Sequence, residues 1–213
     1  MKYRKLPKTS LLISEISFGC MSLGKDQYTA NNFIHKAIDF GVNYFDTADL
    51  YDGGNNETLL GAAVIGKRED ILLATKVRNQ LNPNGKGWRW NPSKNYILEA
   101  VEQSLKRLKT DYIDLYQLHG GRIEDPIDEV IEAFEILKQQ GKIKQYGISS
   151  ISPNVIAEYA KRSDIVSVML QYSILDRRAE EKVLPQLNKN GIGAFARGSL
   201  ARGNTLKKVQ LII

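Results

Sequence analysis

Short apolar runs alternate with amphipathic segments along the chain. Seven runs have the composition of strands: ISFGCM (16–21), VNYFDTA (42–48), DILLATKV (70–77), YIDLYQLH (112–119), IKQYGISS (143–150), IVSVMLQY (165–172) and GIGAFA (191–196). Most are nearly continuous in hydrophobic residues, the pattern of strands buried on both faces of a parallel sheet. Between them apolar residues recur at helical spacing: Ile97, Val101, Leu105 and Leu108 in one segment, Ile127, Val130, Ile131, Phe134 and Leu137 in another. Asp125-Pro126 and Ser152-Pro153 predict helix starts, a cap residue followed by a first-turn proline. Gly41 and Gly141 predict helix ends.

Repeated strand–helix units leave two architectures, a doubly wound open sheet and a (β/α) barrel. A dinucleotide-binding open sheet carries G-x-G-x-x-G between its first strand and first helix. The early glycines here are Gly19 and Gly24, and that fingerprint is absent. The pattern therefore predicts an α/β fold of the (β/α)8 TIM-barrel type, with about seven units visible in one domain spanning 1–213. KLPKTSLLISEISFG leaves room for a short hairpin before the first barrel strand. The segment 78–93, RNQLNPNGKGWRWNPS, lacks periodicity and reads as a long loop, with Trp88 and Trp90 lining a pocket or packing on the barrel rim.

Composition adds limits. With 42% hydrophobic and 25% charged residues, the 213-residue chain has enough apolar surface for one substantial core. No apolar run approaches a membrane span, and the basic N-terminus lacks the apolar region of a signal peptide. A single cysteine, Cys20, excludes an intrachain disulfide and a cysteine zinc cluster; it predicts a reducing, cytoplasmic setting and a core-packing role for Cys20. The net charge of +6 raises nucleic acid as a partner. However, the basic residues are scattered among acids, as in VEQSLKRLKTDYIDL, so a solvated surface and no nucleic-acid partner are expected. A small phosphate-bearing ligand also suits a modestly basic site.

Candidate chemistry collects at strand ends. Asp46 ends the second strand, Lys76 the third and His119 the fourth; Ser149 and Ser150 end the fifth, Gln171 the sixth and Arg197 the seventh. Tyr51 follows the second strand. In a barrel all of these lie at the C-terminal face, where active sites are built. Singly, each has a plain reading: a solvated lysine, a turn-capping aspartate, a turn histidine, a packed tyrosine. Together on one rim they read as a site. An ammonium beside a phenol stabilises the phenolate, an aspartate holds the ammonium, and a histidine can donate to a substrate oxygen. Such a set delivers a proton to a carbonyl oxygen gaining negative charge, which suits hydride transfer from a nicotinamide. Metal hydrolysis needs several ligands, but only two histidines exist, His35 lies mid-helix, and no carboxylate ends strands three to seven, so no metal is expected. In NYFDTADLYDGGNNE, Asp49 and Asp52 are expected to be solvated, Gly53 and Gly54 to turn the chain, and Asn55 or Asn56 to cap the helix carrying Glu57.

At these residues the sequence resembles the aldo-keto reductase superfamily, in its short, often bacterial form, which also includes relatives of potassium-channel β subunits. NYFDTADLYDGGNNE is similar to the family's Asp-Thr-Ala…Tyr…Glu signature, ILLATKV to its lysine strand, and SLKRLKTDYIDLYQLH to the motif ending in the catalytic histidine. GKIKQYGISS and VMLQYSILDR resemble its fifth and sixth strands. The resemblance covers essentially the whole chain. It implies an NAD(P)-dependent oxidoreductase that reduces aldehyde or ketone carbonyls to alcohols, with NADP(H), or alternatively NAD(H), bound without a glycine fingerprint. By it, Tyr51 is the general acid, Asp46 and Lys76 tune it, and His119 orients the carbonyl and shares the proton work. Ser149 and Gln171 would hold the carboxamide, with Ser150 a cofactor contact that reaches less far than the family's asparagine. Arg197 would stack on the nicotinamide, and Gly198, Ser199, Leu200 and Gly203 would wrap the pyrophosphate. Trp88 is the substrate-pocket candidate, the partner is a small carbonyl compound, and no oligomeric state is implied. The channel-subunit relatives raise the alternative of a nucleotide-sensing binding protein.

Two departures alter the expectation. The fifth strand usually ends Ser-Asn in this family, whereas Ser149-Ser150 stands here; many members have a stacking tyrosine after the seventh strand, where this chain has Arg197. The chain also stops just past the seventh strand, which predicts a barrel incomplete at its C-terminus, lacking the segment that grips the adenosine. An unclosed barrel exposes sheet edges, so instability or weak activity is expected of this chain alone, an inactive fragment being the extreme case.

Overall fold

The computed structural model describes residues 1–201. Tyr3–Lys5 (β1) and Leu12–Ser14 (β2) form the expected antiparallel hairpin. Phe18–Gly19 (β3) then opens the main sheet, followed by helix Gln27–Asp39 (α1), strand Tyr44–Asp46 (β4) and helix Asn55–Ala63 (α2). Strand Leu72–Val77 (β5) is followed by a second hairpin, Asn79–Leu81 (β6) and Trp88–Trp90 (β7), and by helix Lys94–Leu108 (α3). Ile113–His119 (β8), Ile127–Gln139 (α4), Ile143–Ser149 (β9), Pro153–Arg162 (α5), Ser167–Gln171 (β10), Val183–Lys189 (α6) and Gly193–Arg197 (β11) complete the alternation.

The main sheet has seven strands in the order β3-β4-β5-β8-β9-β10-β11, every pair parallel. Each strand adds beside its predecessor and the order never reverses, the progression of a barrel and not of a doubly wound sheet. The sheet is strongly curled. Tyr44 on β4 stacks on Phe195 of β11, with ring centroids 4.8 Å apart. Five strand spacings separate these strands, about 24 Å in a flat sheet, so only curling brings the rings together.

Side-chain parity divides the core in two. Tyr44, Ala74, Leu115 and Val166 face the concave interior, joined by Leu6 and Ile13 of the first hairpin. Their neighbours Phe45, Leu73 and Tyr116 face outward into the larger core beneath the helices, with Ile97, Val101, Phe134 and Ile156. The apolar spacing in α3 and α4 is thus explained: Ile97, Val101, Leu105 and Leu108 are buried, as are Ile127, Val130, Phe134 and Leu137. Cys20 is buried in the outer core as expected.

Three local expectations are corrected. Segment 78–93 contains the β6–β7 hairpin, whose three-residue strands are too short to show periodicity. Helix α4 begins after Pro126, with no side-chain cap, because the Asp125 carboxylate is committed to Arg78. Helix α2 is preceded by Gly54 at φ 90°, not capped by an asparagine; Asn56 is buried and faces the loop after β4. Among the described residues no helix is long and apolar enough to cross a membrane.

Candidate active site

The concave interior changes character toward the C-terminal ends of the strands. One pleat beyond Tyr44, Ala74 and Leu115 come Asp46, Lys76 and Gln117, on the same inward parity. Lys76 is only 1% exposed. Its ammonium donates to the Asp46 carboxylate and, at 2.7 Å, to the Thr47 carbonyl. Gln117 donates to the other Asp46 oxygen at 3.1 Å. Burial pushes the Asp46 carboxyl up, against the opposing pull of Lys76. Burial alone would lower Lys76, but the Asp46 charge and the Tyr51 hydroxyl outweigh it and hold the ammonium above its ordinary range.

Tyr51 reaches this pair from the loop after β4. Three consecutive left-handed residues, Asp52, Gly53 and Gly54, follow it and turn the chain into α2. The Lys76 nitrogen lies 5.1 Å from the centre of the tyrosine ring, and the His119 ring meets it edge-on at 5.9 Å. Asn56 anchors the loop, accepting from the Thr47 hydroxyl at 2.6 Å and donating to the Cys20 carbonyl at 2.6 Å. Burial, together with the positive charges of Lys76, Arg197 and Arg78, pushes His119 down to about 3. It is therefore a neutral imidazole at neutral pH, with Nδ1 buried and unpaired among the described residues.

Strand register assembles the neighbouring surface. Ser149 lies directly opposite His119, and Gln171 opposite Arg197, whose guanidinium donates to the Gln171 side-chain Oε1 at 3.1 Å. Among the described residues the Ser149 hydroxyl has no hydrogen-bond partner, so it is available to an amide. The Ser150 hydroxyl instead accepts from the Ser152 backbone at 3.2 Å and holds its own loop. At Gly198, φ is 70°, a left-handed conformation that favours glycine, and a Cβ there would press on the Gln171 side-chain amide. Gly198, Ser199 and Leu200 enter a turn closed by the Ala201 N–H on the Gly198 carbonyl at 2.9 Å. Gly203 lies outside the described residues. Free serine hydroxyl, glutamine amide, guanidinium and glycine turn together suit a nicotinamide and its phosphates. Trp88 sits exposed on the second hairpin, 5.8 Å from Trp90.

Sequence reasoning missed several participants. Gln117 could have been found, since it lies two residues before His119 and shares its inward parity. Asp49 is not solvated: it is 8% exposed and accepts from the Tyr96 hydroxyl at 3.4 Å. Burial, then the nearby Glu57 charge, raises its carboxyl to about 8. Glu57 is fully buried, accepting from Thr75 at 2.6 Å and from Arg107 at 2.7 Å. Nothing local in the sequence marks these two carboxylates as buried.

The family described as "Aldo/keto reductase family" matches residues 15–212. The chain is 57% identical over 208 residues to an uncharacterized oxidoreductase of Bacillus subtilis, YqkF, covering 98% of this chain and 68% of that protein. It is similar to the holo form of the aldo-keto reductase AKR11C1 from Bacillus halodurans, with TM-score 0.93 and 59% identity over 95% of this chain and 68% of that one. It is also similar to an aldo/keto reductase from Klebsiella pneumoniae in complex with NADP and acetate, with TM-score 0.83 and 27% identity over 95% of this chain and 70% of that one. The chain thus spans about two thirds of the length of these relatives.

Proposed function

The chain belongs to the aldo/keto reductase family, whose oxidoreductases act on carbonyls, and from that premise we propose that it reduces aldehydes or ketones to alcohols using Tyr51 as general acid. The observation that carries this reading is the buried Lys76 ammonium, fixed by Asp46 and Thr47 beneath the tyrosine ring. An ammonium held there stabilises negative charge on the phenolic oxygen as the proton leaves for the substrate oxygen. Asp46 keeps the ammonium in place, and Gln117 keeps Asp46 in place. His119, neutral at working pH, donates a hydrogen bond that orients the carbonyl; its low pKa argues against sharing the proton transfer.

A nicotinamide cofactor supplies the hydride when bound. In this reading Ser149 and Gln171 would take its carboxamide, Arg197 would lie along its ring, and the turn at Gly198, Ser199 and Leu200 would receive phosphate; their neighbouring strand ends support it. We assign NADP(H), guided by the Klebsiella pneumoniae relative's complex with NADP. The test is NADPH consumption with a panel of aldehydes. Tyr51→Phe should lower turnover by about 10²–10⁴-fold while cofactor binding persists. A Tyr51→Phe variant with the wild-type rate would remove the tyrosine from the mechanism.

A further inference from the structure

The second hairpin stands against the loop that follows His119, through Trp90 and two arginines. Arg78 follows β5 directly, and its side chain is only 3% exposed. Its guanidinium donates to both oxygens of Asp125, each at 3.1 Å, and Asp125 also accepts the Arg122 backbone N–H at 2.9 Å. The Arg78 backbone has φ 134°, a conformation strained for a non-glycine residue that persists because its surroundings hold it. Arg78 thereby ties the loop after His119 to the hairpin.

On this frame Arg122 lies flat against Trp90, its guanidinium carbon 3.4 Å from the ring centre. Arg78 approaches the same ring at 5.1 Å. Stacking on an indole fixes a guanidinium plane while leaving its N–H edge free to bond. Among the described residues Arg122 forms no ion pair and its guanidinium makes no hydrogen bond. The little-exposed carboxylates nearby are already used, Asp46 by Lys76 and Asp125 by Arg78, while Glu124 is exposed. With Lys76 and Arg78 each paired to a carboxylate, Arg122 and Arg197 are the cations near His119 that form no ion pair among the described residues. Arg122 is three residues beyond His119, so their Cα atoms lie within about 11 Å, the span of a short aliphatic chain.

We propose that Arg122, held flat on Trp90, selects carbonyl substrates that carry an anionic group at the end remote from the reacting carbon. The proposal rests on the carbonyl-reductase reading above for the identity of the reacting group. Its carboxylate end meets the guanidinium edge while its carbonyl lies near His119 and Tyr51.

The test compares 6-oxohexanoate with hexanal, with NADPH, in the wild type, Arg122→Gln and Arg122→Lys. The wild type should favour 6-oxohexanoate in kcat/KM by about fivefold, mostly through KM, as a solvent-accessible ion pair allows. Added salt should shrink the preference. Arg122→Gln should abolish it and Arg122→Lys should restore part. Hexanal turnover without a preference, or a preference that survives Arg122→Gln, overturns anion selection and leaves carbonyl reduction standing. A second readout requires no turnover. In Trp88→Phe, Trp90 is the remaining tryptophan of two, and hexanoate should change its fluorescence saturably where hexanamide does not. Arg122→Gln should remove that response. No response to hexanoate overturns the anion site; a response without turnover of either aldehyde supports the anion site and overturns the reductase reading.

Discussion

The buried Glu57 carboxylate of α2 accepts the Thr75 hydroxyl at 2.6 Å, across 18 residues of sequence. Thr75 immediately precedes Lys76, and the other Glu57 oxygen accepts from Arg107 of α3 at 2.7 Å. One carboxylate therefore ties the helix after the Tyr51 loop to the strand carrying the ammonium and to the next helix. Glu57→Ala strands the partly buried Arg107 charge and the Thr75 hydroxyl. A loss of about 3 kcal/mol is expected from breaking such a pair, read as a lower urea midpoint. An unchanged midpoint would show that the contact holds nothing together.

Asp49 should give stability a negative dependence on pH. Folded, it keeps its proton up to about pH 8, whereas its ordinary value is 3.8. Between those values the folded state binds more protons than the unfolded state, so stability from this group falls as pH rises and levels off above the window. The slope is at most about 1.4 kcal/mol per pH unit. Asp49→Asn should therefore become progressively more stable than the wild type from pH 4 to pH 8. Thermal melts across that range decide it, and a pH-independent difference would mean that Asp49 does not titrate there.

His119 should act in the opposite direction. Its folded value of about 3 lies below the ordinary 6.5, so in that interval the unfolded state binds more protons. Its contribution is complete above pH 6.5 and is lost as pH falls toward 3. His119→Gln should flatten the acid side of the stability profile. The two slopes oppose each other between 3.8 and 6.5, so the single variants will show dependences that the wild type partly cancels. An acid limb identical in His119→Gln and wild type would place the histidine's titration elsewhere.

Gly61 inverts a familiar propensity. Within an exposed helix, replacing glycine by alanine stabilises by about 1 kcal/mol. Here a Cβ on Gly61 would lie 2.5 Å from the Leu108 carbonyl carbon and 2.6 Å from the Arg107 oxygen, both backbone atoms of the end of α3. Gly61→Ala should instead destabilise by about 1–3 kcal/mol, because the two helices must separate. A rise in melting temperature would show that the helices are not so closely packed.

Much of this arrangement was legible before the structure. Apolar runs located every strand of the main sheet, and the absence of a glycine fingerprint pointed away from an open dinucleotide sheet. Placement at strand ends brought Asp46, Lys76 and His119 together, because strands of a barrel all run the same way and end at one rim. The β6–β7 hairpin was not legible, since three alternating residues carry too little periodicity to separate from a loop. Asp125-Pro126 did mark where α4 begins, but its capping role was misread for a related reason: Asp125 bonds to Arg78, 47 residues away, and a local pattern cannot register a competing distant partner.

What the sequence determined by itself is the alternation of strands and helices and the parity that turns Asp46, Lys76 and Gln117 toward the interior, since both follow from local backbone periodicity. The tertiary structure alone decided what each charge meets. Asp46 and Asp49 stand three residues apart on one segment, yet one faces the Lys76 ammonium and the other is buried beside Glu57 and Tyr96. Similar carboxylates acquire opposite circumstances because electrostatic energy depends on distance and burial, and these are set by residues brought from elsewhere in the chain.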